Sequence, residues 1–521
     1  MNKRFVNRLL LALSLLIILT FNSCGGNVIN TMLGADVVQK ETSENKSDEV
    51  YTETQVNRNN KQEQNSMTHA VLTATTAKGD RAIKRVVAQT TNQKGNPTKS
   101  FIDSLRGFTL HIKNPWATYK PGSISYESLH YAKSMVENKY GVEIEEGGYY
   151  SGYNDDLIAL LISGKEDNTI YKIHNEYFTR ALSCGYIASL NKAMDISGVD
   201  FNAEWYNKGI CKLMNIGNNQ YGWCGYDGEY TFPYVIVYNK SKIKNAKITD
   251  PYTHYSNGTW TWETLKEYAQ KLTANNCSGL VATSKTEFLS VLAAARDDSL
   301  VKIRNGVPVV NLESDGVQKS VAKLKSMMKN NLIDFGDGEA WDYSKKQFAS
   351  GNAAMMLSTH DSLNEMKNSS LKDTIGIVPF PKPDERGSKY ISLISPNYID
   401  FIPSACSNEN RAKMLFLRDE LYRYLYTLSD RDFNYVYGDY NLDSVSLELA
   451  YSLKYDDTKY PKRIMLYSLI TPYLSENRIS SGIDEIFEGY GSDEKEAKIT
   501  KNIQKELNTF WKNRKFKYDF N

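Results

Sequence analysis

The chain has 521 residues, which is too long for one compact domain and suits two or more folded lobes plus non-globular segments. Lys and Arg total 63 against 61 Asp and Glu, so the protein lacks the basic field that dominates nucleic-acid binding. Six cysteines occur without a CxxC pair or a Cys/His cluster, so we expect no structural metal and no cofactor.

Residues 1–23 have the pattern of a secretory signal peptide. Lys3, Arg4 and Arg8 precede an apolar run at 9–20 that is too short to span a bilayer. The run leads into the sequence FNSCGG, which resembles a bacterial lipobox, and in a lipobox the cysteine is acylated and becomes the mature N-terminus. We therefore expect a protein on the extracytoplasmic face of the cell membrane, anchored by lipid at Cys24. A plain signal peptide with an incidental cysteine is the alternative.

Residues 24–106 are rich in Thr, Asn, Gln, Lys and Ser and show little periodicity, so we expect a disordered spacer behind the anchor. If Cys24 carries lipid, five cysteines remain, and an odd number argues against a disulfide framework. Cys211 and Cys224 are the one conceivable disulfide pair.

Strands and helices alternate from residue 108 onward. Strand-like runs at 108–112, around 142–144 and at 169–173 are separated by helical patterns. Ser125 caps the first of these helices and Gly141 stops it. This order of elements indicates a parallel sheet covered by helices.

A second set of α/β elements follows. A strand is predicted at 234–238, a helix from Thr261 to Leu272, and further strands at 353–357 and 375–378. The spacing of Ile499, Ile503, Leu507 and Trp511 predicts a terminal amphipathic helix. Trp260 and Trp262 are interpreted as core residues near a helix start.

Several short motifs, in this order, resemble the extracellular solute-binding proteins of bacterial ABC importers, in particular the carbohydrate-binding group that includes maltose-binding protein. The resemblance covers most of the chain from about residue 107. The motifs are YGVEI at 140–144, GYIASL at 185–190, Pro233 with Tyr238-Asn239-Lys240, WTWETL at 260–265, FASGNAAMM at 348–356 and GIVPFP at 376–381.

This resemblance implies an α/β fold of the periplasmic-binding-protein type, with two lobes, a hinge and an interlobe cleft. The implied first lobe comprises residues 107–230 and 397–440, and the second comprises 233–393 and 445–521. The implied function is to capture a small solute, expected to be a carbohydrate, and to deliver it to the permease subunits of an ABC transporter without catalysis.

Ligands of open α/β sheets bind beyond the carboxyl ends of the strands. Sugars present apolar C–H faces and hydroxyls, so their sites need aromatic rings and polar side chains. The candidate ligand contacts are Trp116 after the first strand, His174 and Asn175 after the third, Tyr226 and Tyr230 before the crossing to the second lobe, His360 and Asp361 after the strand at 353–357, and Asn397 and Tyr398 at the return crossing.

Each candidate also has a structural interpretation. Trp116 can pack in its loop, His174 and Asn175 can cap the next helix, and Pro396-Asn397 can form a turn. Members of the family often place an aromatic residue after the strand that corresponds to 353–357, and this sequence has none there. A more polar contact by His360 and Asp361, or a solvated helix start, is expected instead.

Other functions remain open at this point. No Gly-x-Ser-x-Gly elbow, His-Glu-x-x-His motif or P-loop is present, so catalysis is not expected, although paired carboxylates can be distant in sequence. A binding module for a sensor system has the same fold and cannot be separated by sequence. A peptide or another polar solute is the alternative ligand, and its cleft would need charged anchors in place of stacked rings.

Overall fold

The computed structural model describes residues 96–114, 124–147, 153–165, 167–225, 233–274, 277–304, 307–336, 342–359, 371, 373–395, 398–438, 442–455, 459–466, 478–487 and 493–512. The chain divides into two units, Met1–Asn96 and Pro97–Asn521, and every element named below lies in the second. Trp116, Tyr226, Tyr230, His360, Asp361, Asn397 and Cys24 lie outside the described residues.

The first group of elements runs from residue 99 to residue 220. Its helices are α1 Lys99–Asp103, α2 Ile124–Tyr140, α3 Tyr153–Ser163, α4 Asn175–Ser183, α5 Asn191–Ser197 and α6 Lys208–Leu213. Its strands are β1 Thr109–Lys113, β2 Glu143–Gly147, β3 Thr169–His174, β4 Asn215–Ile216 and β5 Asn219–Gln220.

The second group follows residue 233. Its helices are α7 Lys240–Asn245, α8 Pro251–Ser256, α9 Trp262–Leu272, α10 Lys285–Ala295, α11 Asp315–Lys329, α12 Tyr343–Ala349, α13 Asn408–Gly438, α14 Ser444–Tyr455, α15 Arg478–Phe487 and α16 Asp493–Lys512. Its strands are β6 Val235–Asn239, β7 Ser278–Val281, β8 Val301–Arg304, β9 Val307–Val310, β10 Ala353–Ser358, β11 Ile375–Pro379, β12 Ser392–Ile394, β13 Tyr398–Phe401 and β14 Lys462–Ile464.

The first sheet has the strand order β13-β3-β1-β2. Strands β1, β2 and β3 are parallel, as predicted, and β13 adds to β3 in the antiparallel direction from a distant part of the chain. One face of this sheet packs Leu110, Ile112 and Ile170 against apolar residues of α2 and α13. The other face packs Tyr171 and Phe401 around Phe178 of α4.

The second sheet has the strand order β11-β6-β10-β7, with β10 parallel to β7 and β6 antiparallel to both of its neighbours. All five residues of β6 are buried, because helices cover both faces of the sheet. A hydrophobic cluster that contains Ile236 and Met355 is continuous with the Tyr171 and Phe178 side of the first sheet. The two lobes of this α/β fold therefore share apolar contacts.

The indole rings of Trp260 and Trp262 belong to the core, as predicted. Both are buried, and their Nε1–H groups donate hydrogen bonds to the carbonyls of Pro379 and Pro381 at 2.9 and 3.0 Å. The predicted cap is also present, since the Thr261 hydroxyl accepts a hydrogen bond from the Thr264 amide at the start of α9. These contacts confirm the structural interpretation of both tryptophans.

The start of the folded unit differs from the prediction. Helix α1 and the fully buried Leu105 lie inside the segment that was expected to be a spacer up to residue 106. Thr98 caps this helix, and the ring of Phe101 packs edge-to-face on Phe416 at a centroid distance of 5.6 Å. Phe101 and Leu105 are four residues apart and belong to the same hydrophobic cluster as Phe416. These two side chains attach the segment to the core of the first sheet. Across the described ranges, no helix has the length and the apolar composition to cross a membrane.

A buried ion pair holds the return strand β13 in place. Asp400 is 1% exposed, and its Oδ2 accepts hydrogen bonds from Nε and Nη2 of Arg418 at 3.2 and 3.1 Å. The Tyr422 hydroxyl donates to the same oxygen. The backbone of Asp400 exchanges two hydrogen bonds with Trp223, just before residues 226–232. Helix α13, β13 and the segment ending at Gly225 therefore meet at one carboxylate.

Replacement of Asp400 by Asn should lower the free energy of unfolding by about 3–5 kcal/mol, because it leaves the buried Arg418 guanidinium without its counter-charge. Urea unfolding followed by tryptophan fluorescence measures the change. Asp315→Asn is the matched control, since Asp315 is exposed, pairs with Lys319 on the surface of α11, and should change stability by about 0.5 kcal/mol or less. Equal losses in both variants would contradict the role of the buried pair.

Candidate functional site: the carboxyl-end edges of two sheets

The carboxyl ends of β1, β2 and β3 define one edge of the first sheet. Because β13 is antiparallel to β3, its first residue Tyr398 lies directly opposite His174 at the same edge. The two rings form an edge-to-face pair with a centroid distance of 5.3 Å and an interplanar angle of 75°. The fold thus brings together two predicted contacts that are far apart in sequence.

Asn175 and Tyr177 extend this edge from helix α4. His174 and Tyr398 are partly exposed, whereas Asn175 is 1% exposed. The ring of Tyr177, which sequence analysis did not select, lies 6.5 Å from the ring of His174. Three aromatic side chains are therefore available at one point of the edge, and rings of this kind can stack on the apolar face of a sugar.

Charged residues lie just inside the edge, on the face of the sheet that α13 covers. The strand registers place Glu146 beside Ile112, and Lys172 beside Asp400. The Lys172 ammonium is 4.0 Å from Oδ1 of Asp400, whose other oxygen is bonded to Arg418. The four charges of Glu146, Lys172, Asp400 and Arg418 sum to zero when all are ionised, and both cations lie next to the carboxylate of Asp400.

Burial raises the pKa of Glu146, although Arg418 and Lys172 act in the opposite direction. Its Oε2 atom is buried and accepts no hydrogen bond among the described residues. A carboxyl group in such a position favours its neutral form, because the charged form loses hydration without gaining donors. Glu146 is therefore protonated more readily than a glutamate in water.

The second sheet has its own polar edge. Tyr234 precedes β6, Thr283 follows β7, and Ser344 and Lys345 lie in the first turn of α12. The hydroxyl oxygens of Thr283 and Ser344 are 2.7 Å apart. Burial raises the pKa of Glu287, in the first turn of α10, while a hydrogen bond from Tyr234 and the charge of Lys345 partly offset it.

Sequence analysis missed most of these polar residues. Lys172 and Asp400 each lie between apolar residues in their strands, and Glu146 follows Glu145, so no local pattern marks them as site residues. Among the described residues, no three His, Cys, Asp or Glu side chains converge to hold a metal ion. Five cysteines, Cys184, Cys211, Cys224, Cys277 and Cys406, are all free thiols, so Cys211 and Cys224 form no disulfide.

The α/β fold with two sheets agrees with comparisons to known proteins. The family of bacterial extracellular solute-binding proteins matches residues 134–413, more than half of the chain. The chain belongs to this family. Solute-binding proteins of this kind are extracellular, so this member works on the extracytoplasmic side of the membrane.

Solved structures show the same fold. UspC of M. tuberculosis has a TM-score of 0.52 and 14% identity over 77% of this chain and 100% of its own. The GacH receptor of Streptomyces glaucescens, solved alone and with acarbose, has a TM-score of 0.51 and 15% identity over 77% and 98%. Maltose-bound MalE3 of T. maritima has a TM-score of 0.50 and 15% identity over 77% and 100%.

One curated protein also matches at the sequence level. It is the chaperone protein DnaK of Mycoplasmopsis pulmonis, 28% identical over 211 residues, which are 38% of this chain and 33% of DnaK. The solute-binding protein spans about a third of the length of that relative, so no activity is carried over from it.

The raised pKa of Glu146 predicts a pH dependence of stability. Its folded-state pKa lies above the unfolded value near 4.5, so the folded state holds the proton more tightly. The stabilisation is complete below that value and is lost as the pH rises through the folded-state pKa. Glu146→Gln should therefore gain stability relative to the native protein as the pH is raised from about 4.5.

Chemical denaturation at a series of pH values measures this difference. Glu143→Gln, on the exposed side of the same strand, is the control and should follow the native profile. A Glu146→Gln profile parallel to the native one would show that burial does not disfavour the charged carboxylate.

Proposed function

We propose that this solute-binding protein captures a carbohydrate in the cleft between its lobes and delivers it to the permease subunits of an ABC transporter. The observation that carries the proposal is the pair of His174 and Tyr398 rings at the carboxyl-end edge of the first sheet. Aromatic rings beside hydroxyl and carboxyl groups match the apolar C–H faces and the hydroxyls of a sugar.

The charge distribution favours a sugar over a peptide. A peptide ligand has charged termini and needs charged anchors that are available to it. Asp400 is instead engaged by Arg418 and Tyr422, and Glu287 by Tyr234. Related folds support the same choice, since GacH was solved with acarbose and MalE3 with maltose.

Ligand capture would work by a population shift. A solute that contacts both lobes favours the closed arrangement, and the transporter can distinguish that arrangement from the open one. The remaining candidates Trp116, Asn175, Tyr226, Tyr230, His360, Asp361 and Asn397 stay proposed contacts of this cleft. We further propose that the protein acts without catalysis.

A thermal-shift screen against maltose-type oligosaccharides, other glycans and short peptides tests the ligand class, because a ligand that binds only the native state raises the melting temperature. We expect one class of oligosaccharide to stabilise the protein. In calorimetric titrations, Tyr398→Ala and Trp116→Ala should each weaken its binding about tenfold, or about 1.4 kcal/mol.

Tyr131→Ala is the matched control, since Tyr131 is a tyrosine on the exposed side of α2, 46% exposed, and should leave the affinity unchanged. Stabilisation by peptides alone would contradict the carbohydrate proposal and leave the family assignment intact. If the protein binds a ligand but its gene lies beside a receptor kinase gene and not beside permease genes, the sensor function would be favoured.

We also propose lipid attachment at Cys24 after removal of residues 1–23. A thioether-linked diacylglycerol and an N-acyl chain would hold the protein at the membrane, since stable anchoring needs more than one acyl chain. Metabolic labelling with a radioactive fatty acid should label the native protein and not Cys24→Ala, which should appear in the soluble fraction. Cys277→Ala is the control and should remain labelled; a labelled Cys24→Ala would place the lipid elsewhere.

A further inference from the structure

A polar cavity of about 560 Å³ lies at the amino-end edge of the second sheet. Its lining includes Thr273 after α9, Ser278 at the start of β7 and Asn352 just before β10. Strands β7 and β10 are parallel, and the six residues of β10 span about 20 Å, so this edge lies well away from their carboxyl ends. Every lining residue falls within 273–352 in the second lobe, and no candidate contact of the cleft that the structure describes is among them.

Three primary carboxamides line this cavity, which we call the Gln347 cavity. Gln347 is partly buried in α12, whereas Asn331 and Asn352 are exposed. None of the three side chains makes a hydrogen bond to another described residue. Each carboxamide offers two N–H donors and one carbonyl acceptor, so the cavity holds paired donors and acceptors that are free for a solute.

Asp334 is the one charged residue among those that line the cavity, and its carboxylate is mostly occupied. Oδ2 accepts hydrogen bonds from the hydroxyls of Ser278 at 2.8 Å and Tyr343 at 2.9 Å, and Oδ1 accepts one from the Gly336 amide at 2.8 Å. A carboxylate has about four acceptor positions, so one position on Oδ1 remains for a ligand hydroxyl.

The charges at the cavity disfavour an ionic ligand of either sign. An anion would approach the carboxylate of Asp334. A cation would approach the ammonium group of Lys242, which is 3.4 Å from Sγ of the lining residue Cys277. A neutral ligand meets neither repulsion and loses less hydration on binding.

We propose that the Gln347 cavity binds a small neutral polyol, whose hydroxyls exchange hydrogen bonds with the carboxamides of Asn331, Gln347 and Asn352 and donate to Asp334. A hydroxyl is both a donor and an acceptor, as a carboxamide is. No aromatic side chain is among the lining residues, so an open hydroxylated chain suits this cavity better than a sugar ring that needs a stacking partner. The protein would thus hold a second solute outside the cleft, whatever the cleft itself binds.

Ligand-observed NMR titration of the full chain with sorbitol, gluconate and glucamine tests the proposal, because these probes have similar hydroxylated chains and differ in charge. Sorbitol should bind more tightly than either ionic probe by about fivefold or more, the effect of one unfavourable charge contact. Gln347→Leu keeps the length of the side chain and removes its polar atoms, so it should weaken sorbitol about tenfold.

Gln270→Leu is the matched control, since Gln270 is an exposed residue of α9 that does not line the cavity, and it should keep the native affinity. Asn352→Ala should also weaken sorbitol, and its exposed position keeps the test informative if melting curves show that Gln347→Leu fails to fold.

Tyr398→Ala separates this cavity from the cleft. It should weaken a cleft sugar and leave sorbitol binding unchanged, so the two proposals can fail independently. Loss of sorbitol binding in Tyr398→Ala would place the polyol in the cleft and overturn the second site. Absence of sorbitol binding, equal binding of the three probes, or binding unchanged by both Gln347→Leu and Asn352→Ala would overturn it as well.

Discussion

One buried carboxylate organises the first lobe. Asp400 is almost fully removed from water, and an unpaired ionised carboxylate in that position would cost several kcal/mol. Arg418 and Tyr422 supply the donors that make its burial tolerable, and Trp223 pairs with its backbone. Helix α13, strand β13 and the end of the first group of elements must converge for these bonds to form. The relative positions of Trp223 and Asp400 follow from this convergence.

The same constraint shapes the candidate site. With Asp400 bound to Arg418, Lys172 faces a carboxylate whose charge is already shared, and Glu146 is left in a position that favours its neutral form. The edge then presents rings and hydrogen-bonding groups, and its cations Lys172 and Arg418 both lie next to Asp400. Such a surface suits a hydroxyl-rich solute, because its rings and polar groups match the C–H faces and the hydroxyls of that solute.

Much of the secondary structure could be predicted because the pattern of apolar residues is local. Strands β3 and β10 were predicted from short apolar runs, and α9 from the cap at Thr261. The β8–β9 hairpin was not predicted. The folded unit was predicted to start at residue 107, whereas it already includes α1. Short elements contain too few residues for a clear period, so their existence depends on packing against distant partners.

The amino-acid sequence by itself determined the alternation of strands and helices, the family resemblance, and the candidates His174 and Tyr398, since these depend on local periodicity and on residues at strand ends. Only the tertiary structure decided that His174 and Tyr398 lie side by side, that Asp400 neutralises Arg418, and that Oε2 of Glu146 is buried without a hydrogen bond among the described residues. The physical reason is that β13 joins the sheet from a remote part of the chain. Two strands that pair across a long stretch of sequence carry no shared periodic pattern that would reveal the pairing.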